Sequence, residues 1–521
     1  MEYTFQHTDQ SEKLHALQVE HGLIREVGVY LNRNTHQMGF LLPLSKRDHV
    51  VTQQRIARST RMLRDADGNC PWERAALCYQ MSPMSASLTS EMDMTLIALM
   101  VKAPASCLYL GEVDHHGNFL PLKAPLMVGR MVADLKKHVV VPAASAEDVA
   151  LAARRSDLVF GVRNVEELMV LLSGNGAIRP TPASGIEKLE GDAQSYLLDD
   201  FRFIKGQARV KEAAEIAMAG GHHLLLVGPP GEGKTEVAKR AYTICPKLTV
   251  HEAIDVAAIW EAKGDRRLSV QPPFVKATRN ATPVALHGGG SESPSPGIVS
   301  LAHKGILMAD EVFLWTKTML DSLRIPLEDK RVNIHRKDWS VEFPADFQLI
   351  ATANPCQCGF WSPGNSDPRT CTCSQTELYN YAKKVSGPIL DRLDLKVWVG
   401  RLGEKLLTDD HAETEASVDI ATRVTAAREL QLERYEGLPI HRNSELSPAL
   451  YDSYCQESPA AVKAIVDTGA KKLLSTRGIV RLRRLARTCA DLRSSGSVEA
   501  EDVEKAIGFM TVPLPNMDRL T

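Results

Sequence analysis

The sequence predicts an α/β protein: a parallel sheet with crossover helices, preceded by a smaller α+β domain and followed by helices. Three observations lead to this prediction. Short apolar runs alternate with helical stretches between about residues 196 and 400, which is the pattern of strand–helix–strand units. A stretch rich in Gly and Pro separates this part from residues 1–175. From about residue 405 onward the pattern is helical, with no strong strand signal.

These shifts in pattern predict four segments: a first domain at 1–175, a linker at 176–195, an α/β core at 196–404 and a helical domain at 405–521. The linker begins near Gly174 and contains Pro180, Pro182 and Gly185. The first domain contains short apolar runs at Cys107 to Leu110 and Val139 to Val141. The runs that read as strands in the core are Leu224 to Val227, Ile306 to Ala309 and Phe347 to Ala351, and Ile479 to Leu492 is an example of a predicted helix in the last domain.

The overall composition limits the function only loosely. The 521 residues carry a formal net charge of −2, so no global field attracts nucleic acid or anionic lipid, and any such binding needs a local basic patch. No apolar run is long enough to span a membrane, and the N-terminus lacks the features of a secretory signal. We therefore expect a cytoplasmic protein without a membrane partner. Its ten cysteines are then expected to be thiols or metal ligands and not disulfides.

A glycine-rich loop between an apolar run and a helix start carries the main chemical signal. The segment GPPGEGKT fits the pattern Gly-x4-Gly-Lys-Thr, whose backbone N–H groups close around a phosphate. Lys234 is then expected to reach the β and γ phosphates of ATP, and the Thr235 hydroxyl to bind Mg²⁺. The alternative is an ordinary glycine turn, but the strand before and the helix after favour nucleotide binding. The loop consists of Gly228, Pro229, Pro230, Gly231, Glu232, Gly233, Lys234 and Thr235.

Two further apolar runs end in polar residues that suit ATP hydrolysis. The run ILMA ends in Asp310 and Glu311; such an Asp holds the metal through water, and such a Glu polarises the attacking water. The run QLIATA ends in Asn354, a residue that could orient the water near the γ phosphate. A turn-forming Asn before Pro355 is the alternative for that position.

With these three strands in order, the sequence resembles AAA+ ATPases of the magnesium-chelatase subunit I class, and within that class the bacterial ComM family. The matching stretches are GPPGEGKT, HGGG, SPGIVSLAHKGILMADEV, PLEDKRVNIHR, FPADFQLIATANPCQCG, GPILDRLDL, LSTRGIVRLRRLARTCADL and GNFLPLKAPLMV. The resemblance implies an AAA+ core, a C-terminal helical lid and a Lon-protease-like first domain.

The resemblance also implies a homo-oligomeric ring, usually of six subunits, with ATP at the subunit interfaces. The family pattern places an arginine finger at Arg392, which would reach into the neighbour's site and neutralise transition-state charge, an effect worth about 10³ to 10⁵ in rate. A surface salt bridge to Asp391 or Asp394 is the alternative. Arg477 matches the second sensor arginine, in its own site or in a neighbour's.

Four cysteines lie in one short loop directly after Asn354. Four thiolates complete a tetrahedral Zn²⁺ site and leave no open position for catalysis, so we predict a structural zinc clip. The C-x-C spacing is tighter than usual, and four unliganded thiols are the alternative; a similar cluster in the ComM family favours zinc. The predicted ligands are Cys356, Cys358, Cys371 and Cys373.

The segment PLEDKRVNIHRKDWSVEFP reads as a β-hairpin with basic residues at or near its tip. In ring helicases with this insertion, the hairpin points into the pore and touches the DNA backbone. A solvated charged turn is the alternative. The predicted DNA contacts are Lys330, Arg331, Arg336 and Lys337.

Two positions depart from the related families. Thr278 and Arg279 stand where the ComM family has paired histidines, which suggests a divergent branch. Leu126 stands at the position of the catalytic lysine of Lon proteases, and no serine turn is evident near residues 79–88, so peptide hydrolysis has no nucleophile or base.

The sequence thus predicts an ATP- and Mg²⁺-dependent ring ATPase that translocates on single-stranded or branched DNA. We expect it to act as a branch-migration helicase in recombination or DNA uptake, with recombination proteins among its partners. The first rival is a motor that remodels a protein or serves a metal chelatase. A scaffold that does not hydrolyse ATP is the second, and Lys234, Asp310, Glu311 and Asn354 argue against it.

Overall fold

The structure is a computed structural model of the full chain. It describes residues 13–20, 23–33, 63, 77–82, 90–174, 178–182, 200–265, 267–290, 294–335, 340–365, 369–384, 387–401 and 414–515. The predicted linker 176–195 lies outside the described residues except for 178–182, and the predicted boundary between 404 and 405 lies wholly outside them. Both divisions therefore remain predictions.

The N-terminal part contains two three-stranded sheets. One is antiparallel, with the order β1-β2-β3, and the other is parallel, with the order β4-β7-β8. Residues 107–109 and 139–141, which belong to apolar runs of the sequence, lie in two strands of the parallel sheet. The strands are β1 (Lys13–Glu20), β2 (Leu23–Arg33), β3 (Leu77–Ser82), β4 (Cys107–Tyr109), β5 (Glu112–Val113), β6 (Phe119–Leu120), β7 (His138–Pro142) and β8 (Val159–Val162); the helices are α1 (Asp93–Met100), α2 (Pro125–Leu135), α3 (Ala143–Ala153) and α4 (Val165–Leu172).

The middle part is built on a five-stranded parallel sheet with the order β10-β13-β16-β9-β17. Its strands are β9 (Leu224–Val227), β10 (Phe274–Ala277), β13 (Ile306–Ala309), β16 (Gln348–Ala353) and β17 (Leu395–Trp398), with the short strands β11 (Gly288–Gly289) and β12 (Ser295–Pro296) and the hairpin β14 (Arg331–His335) and β15 (Ser340–Pro344). The helices are α5 (Ala208–Gly220), α6 (Lys234–Arg240), α7 (Val250–Ala262), α8 (Pro283–His287), α9 (Ile298–Leu301), α10 (Lys317–Ser322), α11 (Arg324–Asp329), α12 (Gln375–Lys384) and α13 (Gly387–Leu390).

The C-terminal part is helical, as predicted, apart from the two-residue strands β18 (Gln456–Glu457) and β19 (Ser497–Val498). Local sequence sets several of its helix starts: the Ser475 hydroxyl, for example, accepts a hydrogen bond from the Gly478 amide where the helix Thr476–Leu492 begins. The helices are α14 (Ser417–Arg434), α15 (Pro448–Tyr454), α16 (Pro459–Lys471), α17 (Thr476–Leu492) and α18 (Ala500–Met510).

The central sheet is covered on both faces, which explains why its strands are apolar throughout and do not alternate with polar residues. Leu224 and Leu226 of β9 point into one core, which they share with residues of α5, α17 and α18. Leu225 and Val227 point into the other core, with Leu286 of α8 and the hairpin β14–β15. The C-terminal helices thus pack directly on the sheet that carries the phosphate loop. Within the part of the chain that the structure describes, no helix is long and apolar enough to cross a membrane.

The N-terminal part packs on helix α7 around Leu126. The Leu126 side chain is buried in a cluster with residues of α3 and α7, among them Ile254 and Ala257. A Glu261 carboxylate oxygen accepts hydrogen bonds from the Leu126 and Met127 amides at 3.0 and 3.2 Å. Glu261 therefore caps the first turn of α2 from another part of the chain, where a negative charge is stabilised by the helix dipole.

Candidate nucleotide site

The loop between β9 and α6 needs glycine at three positions. Gly231 and Gly233 have φ angles of +85° and +83°, in the left-handed region where a Cβ causes strain. A Cβ on Gly228 would lie 2.0 Å from the Val399 carbonyl oxygen, so this glycine lets the loop pack against the residue that follows β17. The loop thus leaves its strand, turns, and enters the helix at Lys234, with Thr235 next and partly exposed.

The Lys234 ammonium is folded into this loop. The side chain is buried, and its Nζ donates to the carbonyl oxygens of Gly228 and Pro229 at 2.7 and 2.6 Å and to Asn354 Oδ1 at 3.1 Å. These three bonds use all the donors of the ammonium. Removal from water lowers the pKa of Lys234 to about 8, and nearby carboxylates offset only part of that effect. A bound phosphate would restore a full charge partner.

Asn354 lies between the phosphate loop and the acidic pair because β16 is the strand between β9 and β13. Its backbone carbonyl accepts a hydrogen bond from the Tyr381 hydroxyl at 2.9 Å, which anchors it to helix α12. The structure therefore brings Lys234 and Asn354, 120 residues apart in sequence, into direct contact.

The acidic pair at the end of β13 is held by the middle strand. The Thr352 hydroxyl donates to Asp310 Oδ1 at 2.6 Å, and the Glu311 amide donates to the same hydroxyl at 3.1 Å. Lys276, at the end of β10, lies 3.0 Å from Asp310 Oδ2, and Arg279 lies 3.8 Å from Glu311. Partial burial acts to raise the pKa of Asp310, but the hydrogen bond from Thr352 and the ion pair with Lys276 outweigh it and lower the pKa.

Such a carboxylate stays ionised at neutral pH and, with the Thr235 hydroxyl, offers the hard oxygen ligands that Mg²⁺ prefers. Lys276 and Thr352 were not predicted as site residues. Thr352 lies inside an apolar run of the sequence. Lys276 lies close to Thr278 and Arg279, in a segment without a glycine-rich or acidic motif.

A cleft of about 400 Å³ opens beside the phosphate loop. Gln207, which starts helix α5, donates from Nε2 to the Gly400 carbonyl at 2.7 Å and so ties this segment to the end of β17. The sequence did not predict the contact between Gln207 and Gly400, because neither residue belongs to a glycine-rich or charged pattern. The other residues that line the cleft are Phe203, Ile204, Lys205, Gly231, Glu232, Gly233, Glu236, Val237, Arg240 and Arg401.

The four predicted metal ligands converge. The Sγ atom of Cys356 lies 3.3 Å from that of Cys358 and 3.8 Å from that of Cys371, and the last two are 3.5 Å apart. All four Sγ atoms, including that of Cys373, lie within 4.8 Å of one another. Tetrahedral Zn–S bonds of about 2.3 Å place the sulfur atoms about 3.8 Å apart. The donor set and its spacing therefore fit a closed tetrahedral thiolate site for zinc.

The two predicted arginines, Arg392 and Arg477, line a cleft of about 590 Å³ between helices α11 and α17. Both guanidinium groups face Glu328: Arg392 forms an ion pair with it, and Arg477 lies 3.8 Å from it. The Arg392 side chain is 15% exposed and that of Arg477 is 77% exposed. Among the described residues that line this cleft, none belongs to the phosphate loop, so the structure does not bring either arginine to the Lys234 site of the same chain.

The alternative to an arginine finger at Arg392 is a salt bridge to Asp391 or Asp394. Glu328 is its ion-pair partner, whereas Asp391 and Asp394 are approached by Arg481, at 4.0 and 3.8 Å.

The hairpin exists as predicted, but two of its predicted cations are not at its tip. Lys330 and Arg331 lie at its base, since Arg331 is paired with Pro344 at the start of the ladder. Lys330 forms ion pairs with Glu445 and with Asp346, the latter at 3.3 Å. The register was misjudged because the helix before the hairpin ends only at Asp329. Arg336 and Lys337 lie outside the described residues.

Comparisons with known proteins agree with these motifs. The family model described as magnesium chelatase, subunit ChlI, matches residues 200–407, and the one described as magnesium chelatase, subunit ChlI C-terminal, matches residues 414–510. An uncharacterized protein of Mycobacterium tuberculosis is 33% identical over 470 residues, 87% of this chain and 90% of that protein. The competence protein ComM of Haemophilus influenzae is 31% identical over 394 residues, 71% of this chain and 74% of that protein. Lon protease 2 of Bacillus subtilis is 27% identical over 177 residues, 29% and 32% of the two chains.

Proposed function

This chain belongs to the ComM-like, magnesium-chelatase ChlI family of AAA+ proteins, and on that premise we propose that it hydrolyses ATP in a closed ring of its own copies and uses the energy to move along DNA. Membership of an AAA+ family suggests ATP and Mg²⁺ as cofactors. The hydrolysis, the ring and the DNA substrate are the parts that we propose.

The observation that carries the ATPase proposal is the convergence at one edge of the sheet. Lys234, Asn354 and Asp310 follow three adjacent parallel strands, and Lys234 and Asn354 are in contact at 3.1 Å. Ligands of open parallel sheets bind at this carboxyl edge. A glycine loop, a buried cation and an acidic pair at one edge are what a Mg²⁺-bound triphosphate requires.

Each residue then has a distinct role. Lys234 would exchange its carbonyl partners for the β and γ phosphates, while Thr235 and Asp310 would hold Mg²⁺, which neutralises charge on the phosphates. Glu311 would take a proton from the attacking water, and Asn354 would orient that water. Lys276 Nζ lies 3.0 Å from Asp310 Oδ2, so a Mg²⁺ ion that bound this oxygen directly would displace it.

The arginine cleft supports a site shared between neighbouring subunits. Arg392 and Arg477 face one acidic residue, Glu328, in a cleft that no phosphate-loop residue lines. In a ring, one subunit's cleft meets the next subunit's phosphate loop. We therefore assign both arginines to the neighbour's nucleotide, with Glu328 as the partner that holds them when no phosphate is present.

For the DNA substrate, one observation favours the rival, a motor that acts on a protein. Two of the four predicted cations are engaged within the chain, since Lys330 pairs with Glu445 and Arg331 lies 3.3 Å from Glu342. Arg336 and Lys337 remain, and the name of the relative ComM, a competence protein, supports a role near DNA.

The test is the ATPase rate with and without single-stranded, forked and four-way DNA. The proposal predicts stimulation by DNA, and predicts that reversing Arg336 and Lys337 to Glu removes it while the rate without DNA stays. Reversing the exposed Lys471 and Lys472 to Glu is the matched control and should leave the stimulation intact. Lys330 is left unchanged because its reversal would place a third carboxylate beside Asp346 and Glu445. No stimulation by any DNA would favour the protein-remodelling motor.

A further inference from the structure

We propose that Arg369 is a positioning residue that couples the metal in the cysteine cluster to the phosphate loop, so that zinc occupancy sets the affinity for nucleotide and bound nucleotide in turn tightens zinc. This inference rests on the proposed nucleotide site and adds a regulator to it. Arg369 was not among the residues singled out in the sequence.

The first contact is an ion pair with the loop itself. Arg369 lies two residues before Cys371, and its Nη2 donates to Glu232 Oε1 at 2.5 Å, while its Nη1 lies 3.5 Å from the Pro230 carbonyl oxygen. The Glu232 side chain is 12% exposed, so the pair is shielded from bulk water on the acid's side. The Arg369 guanidinium also stacks on the Phe360 ring at 5.0 Å, which limits where it can go.

The second contact is a backbone approach from the other end of the cysteine loop. Gly359 directly follows Cys358 and has a φ of +88°. A Cβ on it would lie 2.8 Å from the ring of Pro230 in the phosphate loop. The Gly359 amide donates to the Cys356 carbonyl at 3.1 Å, so this approach depends on the turn that holds the first two cysteines.

The two contacts are fixed by different metal ligands. Gly359 follows Cys358 and Arg369 precedes Cys371, and a metal bound by both thiolates would join the two ends of the twelve-residue segment between these cysteines. Without that closure, the loop regains conformational freedom, and ordering it again costs entropy. Removal of zinc should therefore loosen both contacts with residues Pro230 and Glu232.

Charge explains why the Arg369 contact matters for nucleotide. Glu232 places a carboxylate inside the loop that must surround a triphosphate, and like charges at short range in a partly buried site repel strongly. The guanidinium of Arg369 neutralises the Glu232 carboxylate by direct contact. Loss of Arg369, or loss of the metal that positions it, would remove the cation that balances the Glu232 charge in this loop.

Because binding free energies are coupled in both directions, the same contact must work in reverse. If zinc raises the affinity for nucleotide by a given factor, nucleotide raises the affinity for zinc by the same factor. This reciprocity provides a readout that does not involve hydrolysis.

The experiment measures the Kd of a fluorescent ATP analogue for the full chain, loaded with zinc or stripped by a chelator. We expect stripping and Arg369→Ala each to weaken binding about tenfold, an effect of about 1.4 kcal/mol. The double variant R369A/E232Q should regain most of that loss, because the carboxylate that Arg369 cancels is no longer charged, and its Kd should change less than threefold on stripping. Arg155→Ala, an exposed arginine paired with Asp157 in the N-terminal part, is the control and should behave as the parent chain does.

The reverse measurement follows the transfer of zinc to a coloured chelator with and without the analogue. Nucleotide should slow this transfer in the parent chain and have no effect in R369A. The inference is overturned if R369A binds nucleotide as tightly as the parent, or if E232Q does not rescue it, since the loss of a merely structural arginine would not be repaired by removing the charge of Glu232. If the parent chain binds no ATP analogue at all, the proposed function fails instead, so the two failures can be told apart.

Discussion

Raising the pH from 7 to 9 should weaken the binding of ATP about tenfold through one side chain, Lys234. Burial lowers the pKa of this ammonium to about 8 in the nucleotide-free chain. The group is therefore about nine-tenths charged at pH 7 and about one-tenth charged at pH 9. Phosphate binding needs the charged form, so affinity is full below the free pKa and is lost as the pH rises through it. The phosphates raise the pKa of Lys234 in the complex, and only above that higher pKa does the affinity for ATP stop falling.

Isothermal titration calorimetry with Mg·ATP between pH 6.8 and 9.5 measures this directly. Titrations in buffers of different ionisation enthalpy should show the uptake of nearly one proton per ATP at pH 9 and of almost none at pH 7. Lys234→Arg is the matched control, because a guanidinium stays charged over the whole range and should flatten the profile. A parent chain whose Kd is the same at pH 7 and pH 9, or an Arg variant with an equal slope, would refute this reading of the buried ammonium.

Three further predictions test other parts of the site. Glu311→Gln should bind ATP with near-parent affinity but lower the steady-state hydrolysis rate at least about 100-fold, since the general base is lost; equal loss of binding and turnover would argue against that role. Glu261→Ala should speed hydrogen exchange at the Leu126 and Met127 amides, because both donors lose a charged acceptor. The free energy of local opening should fall by about 2–4 kcal/mol, and by less in Glu261→Gln. Cys371→Ser should abolish the binding of one equivalent of zinc per chain by elemental analysis, and Cys245→Ser, outside the cluster, should retain it.

The parts of the site that could be predicted are those whose chemistry is written in adjacent residues. A phosphate loop needs its glycines and lysine within eight positions, so Gly228 to Thr235 identify it without any tertiary information. The acidic pair and Asn354 each follow an apolar run, and the order of these runs along the chain was enough to place them at one edge of a sheet. The four cysteines lie within eighteen residues and converge for the same reason.

The residues that were missed act across long distances in sequence and carry no local pattern. Thr352 binds Asp310 from the neighbouring strand, and Glu261 accepts a hydrogen bond from the Leu126 amide, 135 positions earlier. Arg369 reaches the phosphate loop across 137 positions. Which of the chain's many charged residues make such contacts is decided by strand order and by loop packing, so no single stretch of the sequence could indicate them.

The hairpin shows the same limit at a smaller scale. The segment PLEDKRVNIHRKDWSVEFP correctly predicted a hairpin, and in its first strand the buried Val332 and Ile334 alternate with exposed polar residues. The residue at which the hairpin begins could not be predicted, because nothing in the sequence distinguishes Lys330 from a basic residue at the hairpin tip. The partner of Lys330, Glu445, lies 115 positions later in the chain.

The shared nucleotide site can be tested most directly by mixing two inactive variants. Lys234→Ala lacks a working phosphate loop, and Arg392→Ala lacks the arginine assigned to the neighbour; each should hydrolyse ATP at no more than about one-hundredth of the parent rate. Random mixing at equal amounts creates interfaces in which the intact loop of one variant meets the intact arginine of the other, at about one interface in four. The mixture should therefore recover up to about a quarter of the parent ATPase rate, and a mixture no more active than either variant alone would show that Arg392 does not act across the interface.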